Sequence, residues 1–139
     1  MPITLSHKLP DKDAVFVLFE TTGWNADYRI NADQFMDVIE QSWYHVSAYD
    51  NKRLVGFGRI ASDGLLHAVI FDVIIDPAYQ GQGIGRRIMD DLVTECEKAK
   101  IRDIQLFCAR GKAGFYDKCG FIRRPEDGPG MEIKIRYDT

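Results

Sequence analysis

Residues 71–89 read FDVIIDPAYQGQGIGRRIM, and the architecture of the chain follows from how this stretch divides. Val73, Ile74 and Ile75 form a short apolar, β-branched run, the composition of a buried strand. Asp76 and Pro77 end it, because proline has no N–H for a ladder and biases its predecessor toward extended geometry. Gln80, Gly81, Gln82, Gly83, Ile84 and Gly85 follow. The three glycines leave no Cβ to block the approach of a ligand to the backbone. Next come Arg86 and Arg87, and Ile84, Ile88 and Leu92, with Met89 and Val93, recur at the spacing of one helix face. A strand, a glycine turn and a helix N-terminus together make an anion site. The first N–H groups of a helix have no internal partner, and its dipole is positive there. The arginines add positive charge, so the predicted ligand group is a phosphate or pyrophosphate.

The glycine spacing is neither the dinucleotide fingerprint nor a P-loop. It is Q-x-x-G-x-G, carried by Gln80, Gly83 and Gly85. A second pattern lies downstream. Ile104 to Ala109 reads as a strand, Arg110-Gly111-Lys112 as a turn, and Ala113 to Cys119 as a short helix with Gly120 at its end. Within it Phe115, Tyr116, Gly120 and Phe121 spell F-Y-x-x-x-G-F. These two motifs, in this order, resemble those of the GCN5-related N-acetyltransferase (GNAT) superfamily. The run FDVIIDPAYQGQGIG, the later FYDKCGF and the closing GPGM further resemble its serotonin (arylalkylamine) N-acetyltransferase-like branch.

The resemblance implies an α/β (α+β) fold: a single mixed, mostly antiparallel sheet flanked by about four helices. A parallel strand pair splays apart beyond Asp76 at an acetyl-CoA cleft. It implies that Gln80, Gly81, Gln82, Gly83, Ile84, Gly85 and Arg86 hold the pyrophosphate, and that the backbone of Val73, Ile74 and Ile75 holds pantetheine. Tyr116 matches the family tyrosine whose hydroxyl reaches the CoA sulfur.

Composition agrees with such a protein. The 139 residues suit one domain, 1–139, with a real core. Hydrophobic residues at 45% and charged residues at 28% are an ordinary globular profile. A net charge of −3 without a basic patch argues against a nucleic-acid partner. No stretch approaches the ~20 apolar residues that span a membrane, and the N-terminus lacks a signal-peptide pattern. Cys96, Cys108 and Cys119 lie in apolar segments without metal-ligand spacing. They read as reduced core thiols of a cytoplasmic protein, and no metal is predicted.

Outside the motifs, Ile3 to Ser6 reads as a first strand. A helix opens at Pro10-Asp11 and ends near Gly23, residues 24–28 read as a loop, and a second helix is capped by Asn31 or Asp33. Strands follow over Trp43 to Tyr49, Arg53 to Ala61 and Leu66 to Asp76, with Gly56 and Gly58 marking possible bulge positions. A helix over about 83–99 precedes the strand at 104–109. Final strands are expected at 121–124 and 131–137, around a polar Pro125–Gly130 loop. The last of them alternates as an edge strand would and is placed to pair across a homodimer interface, as the family's habits suggest.

Acetyl transfer to an amine needs the thioester held near the amine, a proton removed from the amine, and a proton delivered to the leaving thiolate. Tyr116 is the candidate acid, since a phenol is neutral at pH 7. Several relatives place a glutamate or histidine as base where this chain has Val69 and Phe71, which cannot titrate. Asp72 is adjacent, but strand alternation turns it to the opposite face unless a bulge intervenes, and it reads equally as tied to an arginine. His45 and His67 remain. Trp24 and Tyr28, with Phe71 and Asp72, are the candidate substrate contacts, though the aromatics serve equally as core plugs. The favoured reading is acetyl-CoA-dependent N-acetylation of a small primary amine, an arylalkylamine in particular. The alternatives are a protein lysine or N-terminal acetyltransferase and a non-catalytic acyl-CoA sensor.

Overall fold

The structure, a computed structural model, describes residues 2–135 and 137. Strands β1 (Ile3–Ser6), β2 (Tyr44–Asp50), β3 (Arg53–Ser62), β4 (His67–Ile75) and β5 (Asp103–Leu106) form one sheet in sequence order. The first three pairings are antiparallel, and β4 with β5 is parallel. The helices are α1 (Lys12–Glu20), α2 (Asn25–Tyr28), α3 (Ala32–Glu40), α4 (Ile84–Lys98) and α5 (Ala113–Lys118), with a 3-10 turn at Pro77–Tyr79. Residues 24–28, expected as loop, thus hold a short helix. Asn31 is the cap of α3: its side chain accepts from Gln34 N while Gln34 reaches back to Asn31 N, a reciprocal capping box.

Helix α4 covers one face of the sheet. Ile84, Ile88, Met89, Leu92 and Cys96 bury there against Val46, Val55, Ile60 and Ile70. The approach is close because β3 carries glycines beneath it. A Cβ on Gly56 would stand 2.9 Å from Ile88 Cδ1, and one on Gly58 would stand 2.9 Å from Ile88 Cγ2 and 3.0 Å from Leu92 Cδ1. The opposite face is covered by α1 and α3, where Val15, Leu18, Phe19, Phe35 and Ile39 enclose Phe57 and Ile74.

Three further sequence expectations change. β5 ends at Leu106 rather than 109. The strand expected at 121–124 is not formed, and of the one expected at 131–137 the described residues 131–135 and 137 are not in a strand, Arg136 lying outside the described residues. Met131 and Ile133 are exposed, so their alternating pattern marks a strand-competent segment that has no ladder partner among the described residues. Cys96 is buried as expected, but Cys108 is exposed and is not a core thiol.

Candidate active site

The parallel pairing of β4 and β5 runs from His67 opposite Asp103 to Ile70 opposite Leu106 and stops. Residues 71–75 of β4 continue against β3 alone, so the splay begins at Phe71, not beyond Asp76. The first residues past the split carry a bulge. Phe57 faces Ile74 and Arg59 faces Phe71, two steps on β3 against three on β4. Asp72 absorbs the extra residue at φ 54°, a left-handed conformation that aspartate tolerates better than most side chains. The bulge also answers the alternation problem. It brings Asp72 Oδ2 within 2.6 Å of Arg59 Nε, while the guanidinium lies 5.1 Å from the Phe71 ring centre.

The glycine turn leads from β4 into α4. Asp76 Oδ1 caps the 3-10 turn through Ala78 N, and the buried Tyr79 donates its hydroxyl proton to Asp50 at 2.6 Å. That anchor, which sequence reasoning misses, pins the turn to the end of β2. Gly81 and Gly83 sit at φ 79° and 82°, and a Cβ on either would meet nothing within 4 Å. Gly83 is the N-cap of α4, whose first turn has neither a side-chain cap nor an acidic residue. Its leading N–H groups therefore have no side-chain acceptor among the described residues. Gly85 is glycine for another reason: a Cβ there would stand 3.2 Å from Phe115 Cζ, so α5 packs onto the start of α4. Ile84 is 2% exposed and its side chain is committed to the core under α4. Gln80 Nε2 donates to the Ile75 carbonyl at 3.3 Å, and Gln82 is exposed. Arg86 is held by Asp90 and the Lys118 carbonyl, and Arg87 by the Ile3 carbonyl.

Tyr116, on α5, is half-buried between Phe115 and Phe121, with ring centroids at 5.0 and 6.2 Å. Its hydroxyl makes no hydrogen bond among the described residues. Burial first, then the neighbouring Cys108 and Cys119, push its pKa up. It is thus a protonated phenol at neutral pH, beside the chain that continues past β5.

The family profile of the acetyltransferase (GNAT) domain matches residues 18–132. The chain belongs to the GNAT family. It is 31% identical over 122 residues to serotonin N-acetyltransferase 2, chloroplastic, of rice (Oryza sativa subsp. japonica), covering 87% of this chain and 61% of the relative. It is 43% identical over 79 residues to the ycf52 N-acetyltransferase of Porphyra purpurea, covering 57% and 45%. Histone acetyltransferase TAP1 of soybean (Glycine max) is 39% identical over 82 residues, covering 59% and 36%. The chain therefore spans less than two thirds of the length of these curated relatives. A GNAT-family acetyltransferase structure from Streptococcus pneumoniae superposes with a TM-score of 0.80 at 25% identity, covering 99% of this chain and 100% of that one. Glucosamine-6-phosphate N-acetyltransferase of Arabidopsis thaliana shares the fold at a TM-score of 0.66 and 12% identity, covering 99% and 100%.

The remaining candidates of this GNAT chain divide. Trp24 is half-buried, edge-on to Phe19 at 6.5 Å, and packs against the α1–α3 core. Tyr28 is exposed and stacks on Phe19 from outside. No ring contact joins either to Phe71 among the described residues. His67 pairs with Asp103 at the closed end of the β4–β5 ladder, away from the splay. His45 lies directly opposite Arg59, and Arg59 directly opposite Phe71, so the three form one row across β2, β3 and β4. Burial, then His7, pulls the His45 pKa down. Sequence reasoning does not single out Arg59, although an arginine inside an otherwise apolar strand is the available signal. Among the described residues, no group of three His, Cys, Asp or Glu side chains is arranged to hold a metal. No helix among them is long and apolar enough to cross a membrane.

Proposed function

We propose that this chain is an acetyl-CoA-dependent N-acetyltransferase acting on the primary amine of a small molecule, with arylalkylamines as the first class to test. Transfer is direct, with Tyr116 as general acid and without a metal. The observation that carries the reading is the uncapped start of α4. Its uncapped N–H groups and the side-chain-free faces of Gly81 and Gly83 follow a stretch of β4 that pairs with β3 alone. Acetyl-CoA is the general cosubstrate of the family, and a diphosphate fits that cradle by charge and by space. Gln80 to Arg86 would hold the diphosphate, and the main chain of Val73, Ile74 and Ile75, past the last β4–β5 pairing, would hold pantetheine. Tyr116 would protonate the departing thiolate, and the acceptor's ammonium would give up its proton to water before the neutral amine attacks. Phe71 and Asp72, at the split, are the acceptor-side candidates, while the packing of Trp24 against the α1–α3 cluster supports a core role for it.

The rice relative named for serotonin supports testing arylalkylamines first, and the soybean relative named for histone keeps a lysine peptide among the tests. We read residues 1–139 as one catalytic domain working in the cytoplasm. The unpaired β5 edge and the exposed, alternating Met131, Ile133 and Ile135 support a homodimer.

The test is acetyl transfer followed by mass spectrometry, with acetyl-CoA and pooled arylalkylamines, polyamines, amino sugars, amino acids and a lysine peptide. One dominant acetylated product is expected. Tight acetyl-CoA binding with no product from any pool would favour the sensor instead. A second measurement isolates the cradle. Gly83→Asp sets a carboxylate where the diphosphate belongs, with a cost of about 1 kcal/mol for a side chain at φ 82°. The acetyl-CoA Kd, measured well below a somewhat lowered melting temperature, should rise about tenfold, equivalent to ~1.4 kcal/mol. An unchanged Kd would move the phosphate site elsewhere.

A further inference from the structure

We propose that Arg59 and Asp72 together read the acceptor, and that the preferred acceptor is a zwitterion: its amine faces Asp72 and its carboxylate faces Arg59. This rests on the transferase reading above and names its substrate class.

The pair stands at the right place. Arg59 is opposite Phe71, the first β4 residue past the last β4–β5 pairing, and Asp72 is the bulged residue beside it. A group held there sits at the mouth of the split. The ion pair is also incomplete. Arginine and carboxylate usually meet through two parallel bonds. Here the contact is single, Nε to Oδ2, with one longer reach from Nη1 to Ser42 Oγ at 3.5 Å. Among the described residues, Asp72 Oδ1 and Arg59 Nη2 have no partner. Both side chains are 17% exposed, closed enough for unfilled donors and acceptors to matter and open enough for a small ligand to reach them.

Charge then selects the ligand. The pair is net neutral, with a free acceptor oxygen beside free donor nitrogens. A bare ammonium at Asp72 is repelled by Arg59, and a bare carboxylate at Arg59 is repelled by Asp72. A molecule carrying both, with the separation of an α-amino acid, completes an alternating set of four charges and leaves no group unpaired. The Phe71 ring, pinned against the guanidinium, fixes where the donors point and offers an apolar surface to the acceptor's side chain.

The test compares kcat/KM, at saturating acetyl-CoA, for phenylalanine, phenylalaninamide and phenethylamine, and for tryptophan and tryptamine. The full chain is used, as wild type, Arg59→Gln and Arg59→Lys, each checked for an intact thermal transition. Equilibrium dialysis of phenylalanine runs in parallel. The amino acids should exceed their amides and amines by about tenfold or more. Arg59→Gln should erase that preference by lowering the amino acids most, and Arg59→Lys should restore part of it. Tryptamine or phenethylamine turned over as well as the amino acid would overturn the proposal and leave the transferase reading intact. So would an Arg59→Gln loss equal across all acceptors, which is what a purely structural ion pair would give. Phenylalanine bound in an Arg59-dependent way but never acetylated would sink the transferase reading and keep the subsite. No binding and no preference would overturn it.

Discussion

Tyr116→Phe should lower kcat about a hundredfold while leaving the acetyl-CoA Kd within about twofold. The substitution removes one oxygen from a half-buried ring and leaves its contacts with Phe115 and Phe121 in place. No hydrogen bond to another described residue is lost. The change therefore falls on proton delivery rather than on packing. Burial and the two neighbouring thiols raise the phenol's pKa, so the proton is present throughout the neutral range. A wild-type kcat limited by this acid declines only above the ordinary phenol range, and the Tyr116→Phe variant loses that decline. Rapid-quench measurement of the transfer step, across pH, checks both statements. An unchanged rate would remove Tyr116 from the mechanism and leave the thiolate to solvent.

Ile88→Ala should destabilise the chain by about 2–5 kcal/mol, read from urea unfolding. Ile88, on the sheet-facing side of α4, is fully buried and approaches β3 at both Gly56 and Gly58. Gly58→Ala tests the other side of the same contact. A Cβ there lands 2.9 Å from Ile88 Cγ2, and overpacking of this kind costs about 1–3 kcal/mol. The two changes share one volume, so they should not add. The double variant should be more stable than the sum of the singles by about 1 kcal/mol or more. Full additivity would mean that α4 shifts as a rigid body and that the glycines are not what seats it. The consequence reaches function, because α4 carries the candidate phosphate cradle at its first turn.

The strand–glycine turn–helix unit is legible because each part is local. Val73 to Ile75, Gly81 to Gly85 and the Ile84–Ile88–Leu92 face all lie within one continuous stretch. Their geometry follows from φ preferences and from unpaired N–H groups at a helix start. The family is legible for the same reason, since FYDKCGF adds a second local pattern. Arg59 and Tyr79 are not legible as functional or anchoring residues. Their partners, Asp72 and Asp50, are 13 and 29 positions away in the chain.

From the residues alone, then, come the family, the mixed sheet and the helix start that opens toward a ligand. The same residues mark 131–135 as strand-competent without saying what they pair with, since a period of two records faces and not hydrogen-bond partners. Where β4 and β5 part, that Asp72 sits in a bulge, and which arginine it meets emerge only in the folded chain. Those facts depend on register between strands distant in sequence. Register is settled by packing of whole faces against α4 on one side and α1 and α3 on the other, which no short window of residues contains.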